Sequence, residues 1–165
     1  MTQRKSPPTH APFTYNIMDM MLASPTLLMP QEKRTFQLTR MWAALATIEK
    51  GEAPTTEDWR LCSDAVNMME TLVKDMQRCE DTQGLLDDAV LALADSGRRH
   101  MSTGAAIRLD AKGIFAVRSV LEDYADMLGQ LSHRVMIVCH MKTERRVREI
   151  LSGKKQPNDV EVMAL

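Results

Sequence analysis

The residues whose types and spacing bear on chemistry are densest near the end of the sequence, in "HMKTERRVREILSGKK" from His140 to Lys155. Six basic side chains, Lys142, Arg145, Arg146, Arg148, Lys154 and Lys155, stand there against two acidic ones, Glu144 and Glu149. On an exposed helix, such side chains neutralise backbone phosphates and release counterions, which is the chemistry of nucleic-acid binding. The same spacing also suits local ion pairing. Glu144 with Arg148 and Arg145 with Glu149 are four residues apart, and such pairs contribute about 0.2–0.5 kcal/mol while keeping a helix solvated. Lys142, Arg146, Lys154 and Lys155 have no such partner nearby. With Arg145 they form the candidate contact set for nucleic acid or for a partner. The stretch holds no aromatic residue to stack a base. The turn in "RHMSTGAAIRLDAKG" spaces its flanks poorly for a helix-turn-helix.

Other reactive groups point nowhere so specific. Arg98, Arg99 and His100 sit at the expected end of a helix, where cations complement the dipole. His133 and His140 lie two turns apart beside Cys139, too few ligands for a metal centre. Cys139 and His140 are sequence neighbours, and side chains of helical neighbours diverge by about 100°, so they do not suit a catalytic dyad. Asp87–Asp88 and Glu122–Asp123–Asp126 read as solvated acidic faces. There is no glycine-rich phosphate loop, nucleophile elbow or paired-carboxylate motif. The expectation is a non-enzymatic protein with no catalytic residue, metal or cofactor.

Methionine is over-represented, with 14 in 165 residues. Met18, Met20 and Met21 crowd "FTYNIMDMMLA", where Phe13, Ile17 and Met21 recur every fourth position on one helical face. Flexible thioethers suit an adaptable docking surface as well as a core. Phe13, Ile17, Met18 and Met21 therefore form a candidate partner-docking helix, open between folding back on its own chain and seating in a partner's groove.

The elements that must position these groups are helices punctuated by proline and glycine. Pro7, Pro8 and Pro12 mark a loose arm over residues 1–12, and Ser24–Pro25 ends the first short helix. Pro30 opens the next helix and Gly51 closes it, with Phe36, Leu38, Met41, Trp42, Leu45 and Ile48 as its apolar face. "PTTEDW" starts a helix capped by Thr55 or Thr56. There Trp59, Cys62, Val66, Met69, Val73 and Met76 step by three and four as a seam, with Ser63, Asn67, Glu70 and Lys74 as the expected wet face. Leu85, Leu86, Ala89, Val90 and Leu93 point inward from a further helix that Gly97 weakens. A loop follows, with a short extended piece at residues 106–109. Asp110 caps the last helical region, whose seam runs from Ile114 to Val138 through Gly129. Residues 111–152 are either one helix or a helical hairpin broken near Gly129–Ser132 and capped by Ser132.

The length suits one domain with a full core, and 44% apolar residues exclude a disordered chain. No apolar run approaches the roughly 20 residues of a membrane span, so no membrane partner is expected. "MTQRKSPPTHAP" lacks a secretory apolar region, and three spaced cysteines without a CxxC argue for reduced thiols. The expected location is the cytoplasm. Residues 1–97 carry 9 basic and 14 acidic side chains and residues 98–165 carry 12 and 8, an asymmetry that can steer an anionic partner to one end.

"EDWRLCSDAVNMMETLV" and "GRRHMSTGAAIRLDAKGIFAVRSVLEDY" resemble small helical proteins encoded on plasmids, phages and integrated elements of Proteobacteria. Some of those carry the label of Fis-type transcription regulators. The resemblance implies a bacterial accessory role and transfers no site residue. The expectation is an all-α bundle of four or five helices over residues 13–152, with a long or kinked C-terminal helix and a polar tail over residues 153–165. It is expected to bind and regulate a protein partner, or to pair with itself as a homodimer. The alternative is a DNA-binding transcriptional regulator that uses the basic C-terminal helix.

Overall fold

Thr55 begins the helix around which the others assemble. Its hydroxyl accepts the Asp58 N–H at 3.2 Å while the Asp58 carboxylate accepts the Thr55 N–H at 2.8 Å, a reciprocal cap. A computed structural model describes residues 15–81 and 83–153. Among them are six helices: α1 (Ile17–Leu22), α2 (Gln31–Lys50), α3 (Thr56–Glu70), α4 (Leu86–Thr103), α5 (Ala111–Gln130) and α6 (His133–Leu151). A π-helical segment, Thr71–Asp75, continues α3. The described residues contain no strand, and the protein is an all-helical bundle. The arm over residues 1–12, Phe13 and the tail beyond Gly153 lie outside the described residues.

The expected seam of α3 is internal. Trp59, Cys62, Val66 and Met69 are buried among side chains of α2, α4 and α5. The expected wet face is a different matter, because Ser63, Asn67 and Glu70 are also buried, the last two where Arg146 of α6 reaches them. Helix α3 is therefore enclosed on both sides, and of the four residues assigned to water only Lys74 keeps substantial exposure. On α2 the buried residues are Met41, Ala44, Leu45 and Ile48. Phe36 instead lies outside, more than half exposed, with the Arg40 guanidinium 5.5 Å above its ring.

Gly97 does not end α4. The helix runs six residues further, to Thr103, before Gly104 adopts a left-handed φ of 68°. Gly97 instead makes room for Trp59. A Cβ there would stand 2.9 Å from the indole Cζ2, and the indole N–H donates to the Leu93 carbonyl at 2.9 Å. The loop at residues 104–110 forms no strand, and Ile107 anchors it in the bundle. Arg99 donates to the Arg108 carbonyl at 2.9 Å, His100 Nδ1 lies 2.8 Å from the Ala105 carbonyl, and Arg98 pairs with Asp95 at 2.7 Å. The second basic cluster thus ties down this loop.

The last helical region is two helices. Leu131 and Ser132 are extended, with ψ of 144° and 154°, and the Ser132 hydroxyl accepts the Val135 N–H. The break falls where a capping serine offers the chain a new start. It does not make a hairpin: α6 lies against α1, α3 and the π-helical segment instead of folding back along α5.

The two glycines should respond oppositely to alanine. Gly97→Ala meets a rigid buried indole and should cost about 1–3 kcal/mol. Gly129→Ala, helical with nothing within 4 Å of the added Cβ, should stabilise by about 0.4–1 kcal/mol. Urea denaturation of both variants checks the pair.

Candidate functional site

The candidate residues occupy two regions of α6 and the chain lying on it. In the first, at the C-terminal half of α6, Arg146 turns into the bundle. It is 6% exposed, and its Nη2 lies 2.9 Å from Glu70 Oε2 and donates to the Asn67 carbonyl at 3.2 Å. Lys74 Nζ bridges Glu70 at 3.2 Å and Asp87 at 2.8 Å. Beside the pair, the Thr71 and Thr143 hydroxyls meet at 2.7 Å. The Asn67 carbonyl also takes the Thr71 hydroxyl, at 3.1 Å, where α3 widens into the π-helical turn. Extra donors inserted at a helix carbonyl are a recognised cause of such irregularity.

This placement corrects the reading of Arg146 as an outward contact. It is a buried structural cation, because Glu70 draws it inward from the face where Lys142 and Arg145 remain. Those two line a shallow depression of about 340 Å³ together with Asp75, Glu149 and the edge of Arg146. The acidic side chains in that depression offset the basic ones. Arg148 is held by Glu144 at 3.2 Å, as the four-residue spacing predicts. Lys154 and Lys155 lie outside the described residues.

The second region is the start of α6, and sequence reasoning missed its organising residue, Arg134. The first amides of a helix have no intrahelical acceptor. Here the His133 N–H donates to the Leu27 carbonyl at 2.8 Å and the Arg134 N–H to the Ser24 carbonyl at 3.1 Å. The Arg134 side chain then reaches the Ala23 carbonyl at 3.0 Å and the Met21 carbonyl at 3.1 Å. Residues 21–27 are thus fastened to α6 through their backbone. One signal was available: an arginine in the first turn opposes the helix dipole and needs another reason to be there.

The N-terminal helix α1 is pre-formed by its own cap. Asn16 Oδ1 accepts the Met18 and Asp19 amides at 2.8 and 3.1 Å, and Asp19 returns a bond to the Asn16 N–H at 2.8 Å. Ser24 closes the following turn by accepting the Leu27 N–H at 2.9 Å. Ala23 and Met29 are buried anchors. The large apolar side chains before and between them are not: Ile17, Met18, Met21, Leu22 and Leu27 are 57–81% exposed, and Leu28 is 36% exposed. The segment folds back on the bundle by its backbone while turning its apolar side chains to solvent. Of the candidate docking residues, Ile17, Met18 and Met21 share this outward face.

His140 joins the two regions. The Tyr15 and His140 rings meet edge to face with centroids 5.0 Å apart. Burial holds the His140 pKa below the usual histidine range, while Glu144, 3.7 Å from Nδ1 and too far to hydrogen-bond, pulls the other way. Burial and the charge of Lys33 likewise lower His133. Cys139 faces inward to Met68, away from His140, and burial pushes its thiol up to about 12. Among the described residues, no three His, Cys, Asp or Glu side chains converge as metal ligands, and no helix is long and apolar enough to cross a membrane.

No family model matches this chain, and neither the curated proteins nor the solved structures include a significant match to it.

Two outcomes follow from the geometry. Arg146→Ala leaves the buried Glu70 with only the half-exposed Lys74 as counter-charge and should cost up to about 3–5 kcal/mol, whereas Glu70→Leu with Arg146→Met should cost far less. A double-mutant cycle by urea unfolding reads the coupling. Both histidines resist protonation in the folded state, so the unfolded chain binds more protons below its histidine pKa of about 6.5. Stability should hold above about pH 7 and fall as pH drops through that range. His140→Gln should shrink the fall in Tm between pH 7.5 and pH 5.

Proposed function

We propose that this protein is a non-enzymatic helical module that binds a protein through the apolar face of α1 and the turn behind it. The observation that carries the reading is the split character of residues 17–28, which are fastened to α6 through four of their carbonyls while five large apolar side chains stand mostly in water. Together with Leu28 they leave on the order of 700 Å² exposed, above the roughly 300–600 Å² of a typical monomer's largest apolar patch. A pre-formed segment also loses little ordering entropy on binding, so more of the apolar burial appears as affinity. The resemblance of the α3 and α4–α5 sequences to proteins of bacterial mobile elements supports an accessory, regulatory role in the cytoplasm.

The alternative, DNA binding through the basic end of α6, draws on Lys142 and Arg145, which stand together in one depression. It is the weaker reading because Asp75 and Glu149 share that depression, Glu70 neutralises Arg146 and Glu144 holds Arg148.

The two readings separate by variant. Full-length chain immobilised as single copies should capture a protein from a lysate of bacteria that produce the soluble chain, and Met21→Glu with Leu22→Glu should abolish capture without changing helicity or Tm. Lys142→Ala with Arg145→Ala should leave capture intact. Undiminished capture by the first variant would remove the proposed face. A DNA mobility shift whose salt dependence flattens in the second variant would establish the alternative.

A further inference from the structure

The described residues offer few other openings. The depression beside the π-helical turn mixes charges of both signs, as does a second hollow lined from Val73 to Asp81 by Arg78, Glu80 and Asp81. Cys62 and Cys139 are sealed in the core. The face of α1 carries further, because its composition and area bear on what covers it.

We infer that the occupant is a second copy of this chain, giving a two-fold dimer in which the α1 faces and following turns pack against each other. The inference rests on the reading of that face as a protein-docking surface, and it names the partner. Three observations carry it.

The first is area. Ile17, Met18, Met21, Leu22, Leu27 and Leu28 leave on the order of 700 Å² open per chain, against roughly 800 Å² per partner in a standard interface. These six side chains are thus enough for the apolar centre of such an interface, which flanking residues would complete.

The second is charge. A two-fold contact sets each patch against itself, so any charge within it meets its own sign near the axis. From Met20 to Pro30 the chain carries no charged residue. Asp19, the one charge between Ile17 and Pro30, is taken up in the cap of α1, where it accepts the Asn16 N–H at 2.8 Å, and Lys33 stands just beyond the segment, close enough to His133 to lower its pKa. An antiparallel two-fold pairing brings the Asp19 end of one copy to the Lys33 end of the other.

The third is geometry. Ile17 with Met21, and Met18 with Leu22, are four residues apart on one side of α1. The carbonyls of Met21, Ala23, Ser24 and Leu27 are all occupied by α6. These four carbonyls therefore need no partner from the second copy when the face is covered. The two methionines supply flexible side chains that adjust to an identical surface.

Sedimentation equilibrium of the full-length chain tests this. The wild type should approach twice 18.6 kDa at tens of micromolar. Met18→Glu with Leu22→Glu places like charges against each other and should weaken self-association by roughly 100-fold or more. It should do so with unchanged helicity and Tm, because both side chains are exposed in the single chain. Leu91→Glu with Phe115→Glu, exposed on α4 and α5, should leave the dimer intact. A wild type that stays monomeric at several hundred micromolar overturns self-pairing, as does a dimer indifferent to the α1 variant. Binding of an environment-sensitive apolar dye then locates the fault. A monomer whose dye binding is lost in the α1 variant retains the docking face for a different partner, whereas dye binding equal in both forms removes the face as well.

Discussion

The contact between Glu70 and Arg146 sets the position of α6, and the rest of the surface follows from it. An isolated charge in a helical core is unstable, so each residue confines the other. Arg146 can satisfy its guanidinium only where it reaches both Glu70 and the Asn67 carbonyl, which places the C-terminal half of α6 over the polar side of α3. Desolvating such a pair offsets most of its Coulomb attraction, so its main effect is on arrangement and less on net stability. An apolar replacement would let α6 slide or rotate on α3, while the ion pair with the adjoining Thr71–Thr143 hydrogen bond admits one register.

With α6 in place, its first turn presents amides and the Arg134 guanidinium to whatever chain lies nearby. Those donors select carbonyls over side chains, and residues 21–27 supply them. This explains an arrangement that burial alone would not produce. Tethered through carbonyls, α1 is free to direct its side chains either way, and Ile17, Met18, Met21 and Leu22 face solvent. Hydrogen bonding decides the position of the segment, and the hydrophobic effect acts on the face left over. The polar core of the bundle and the apolar patch on its surface are in this way two ends of one chain of contacts running along α6.

The mixed character of the basic helix end has the same origin. Six positive charges in the sequence of residues 142–155 suggest a cationic surface, yet α6 uses Arg146 inside the protein and Arg148 against Glu144. Among the described residues, Lys142 and Arg145 face a depression that Asp75 and Glu149 share. Counting charges along a helix overstates its field when one face of that helix is buried.

The helices themselves were legible in the sequence, because caps and three-and-four periodicity are local. Thr55 with Asp58, Asp110, Ser132 and Gly51 act where their types predict, and the Trp59–Cys62–Val66–Met69 seam is the core it promised. Local pattern could not say what lies on the second side of α3. Ser63, Asn67 and Glu70 carry the polarity of a wet face, and only a distant arginine turns Glu70 inward. Gly97 was misread for a similar reason: its lack of a side chain is used by Trp59, thirty-eight residues earlier. Arg134, the residue that positions the candidate surface, acts on carbonyls more than a hundred residues away. Sequence alone determined which segments coil and several of their caps, since those choices depend on neighbours within a turn, but it allowed residues 111–152 to be one helix or two and placed Phe13 on a helix that begins only at Ile17. Tertiary structure alone decided which polar residues are enclosed and which apolar ones are left in water, since that depends on contacts between segments that no local spacing encodes.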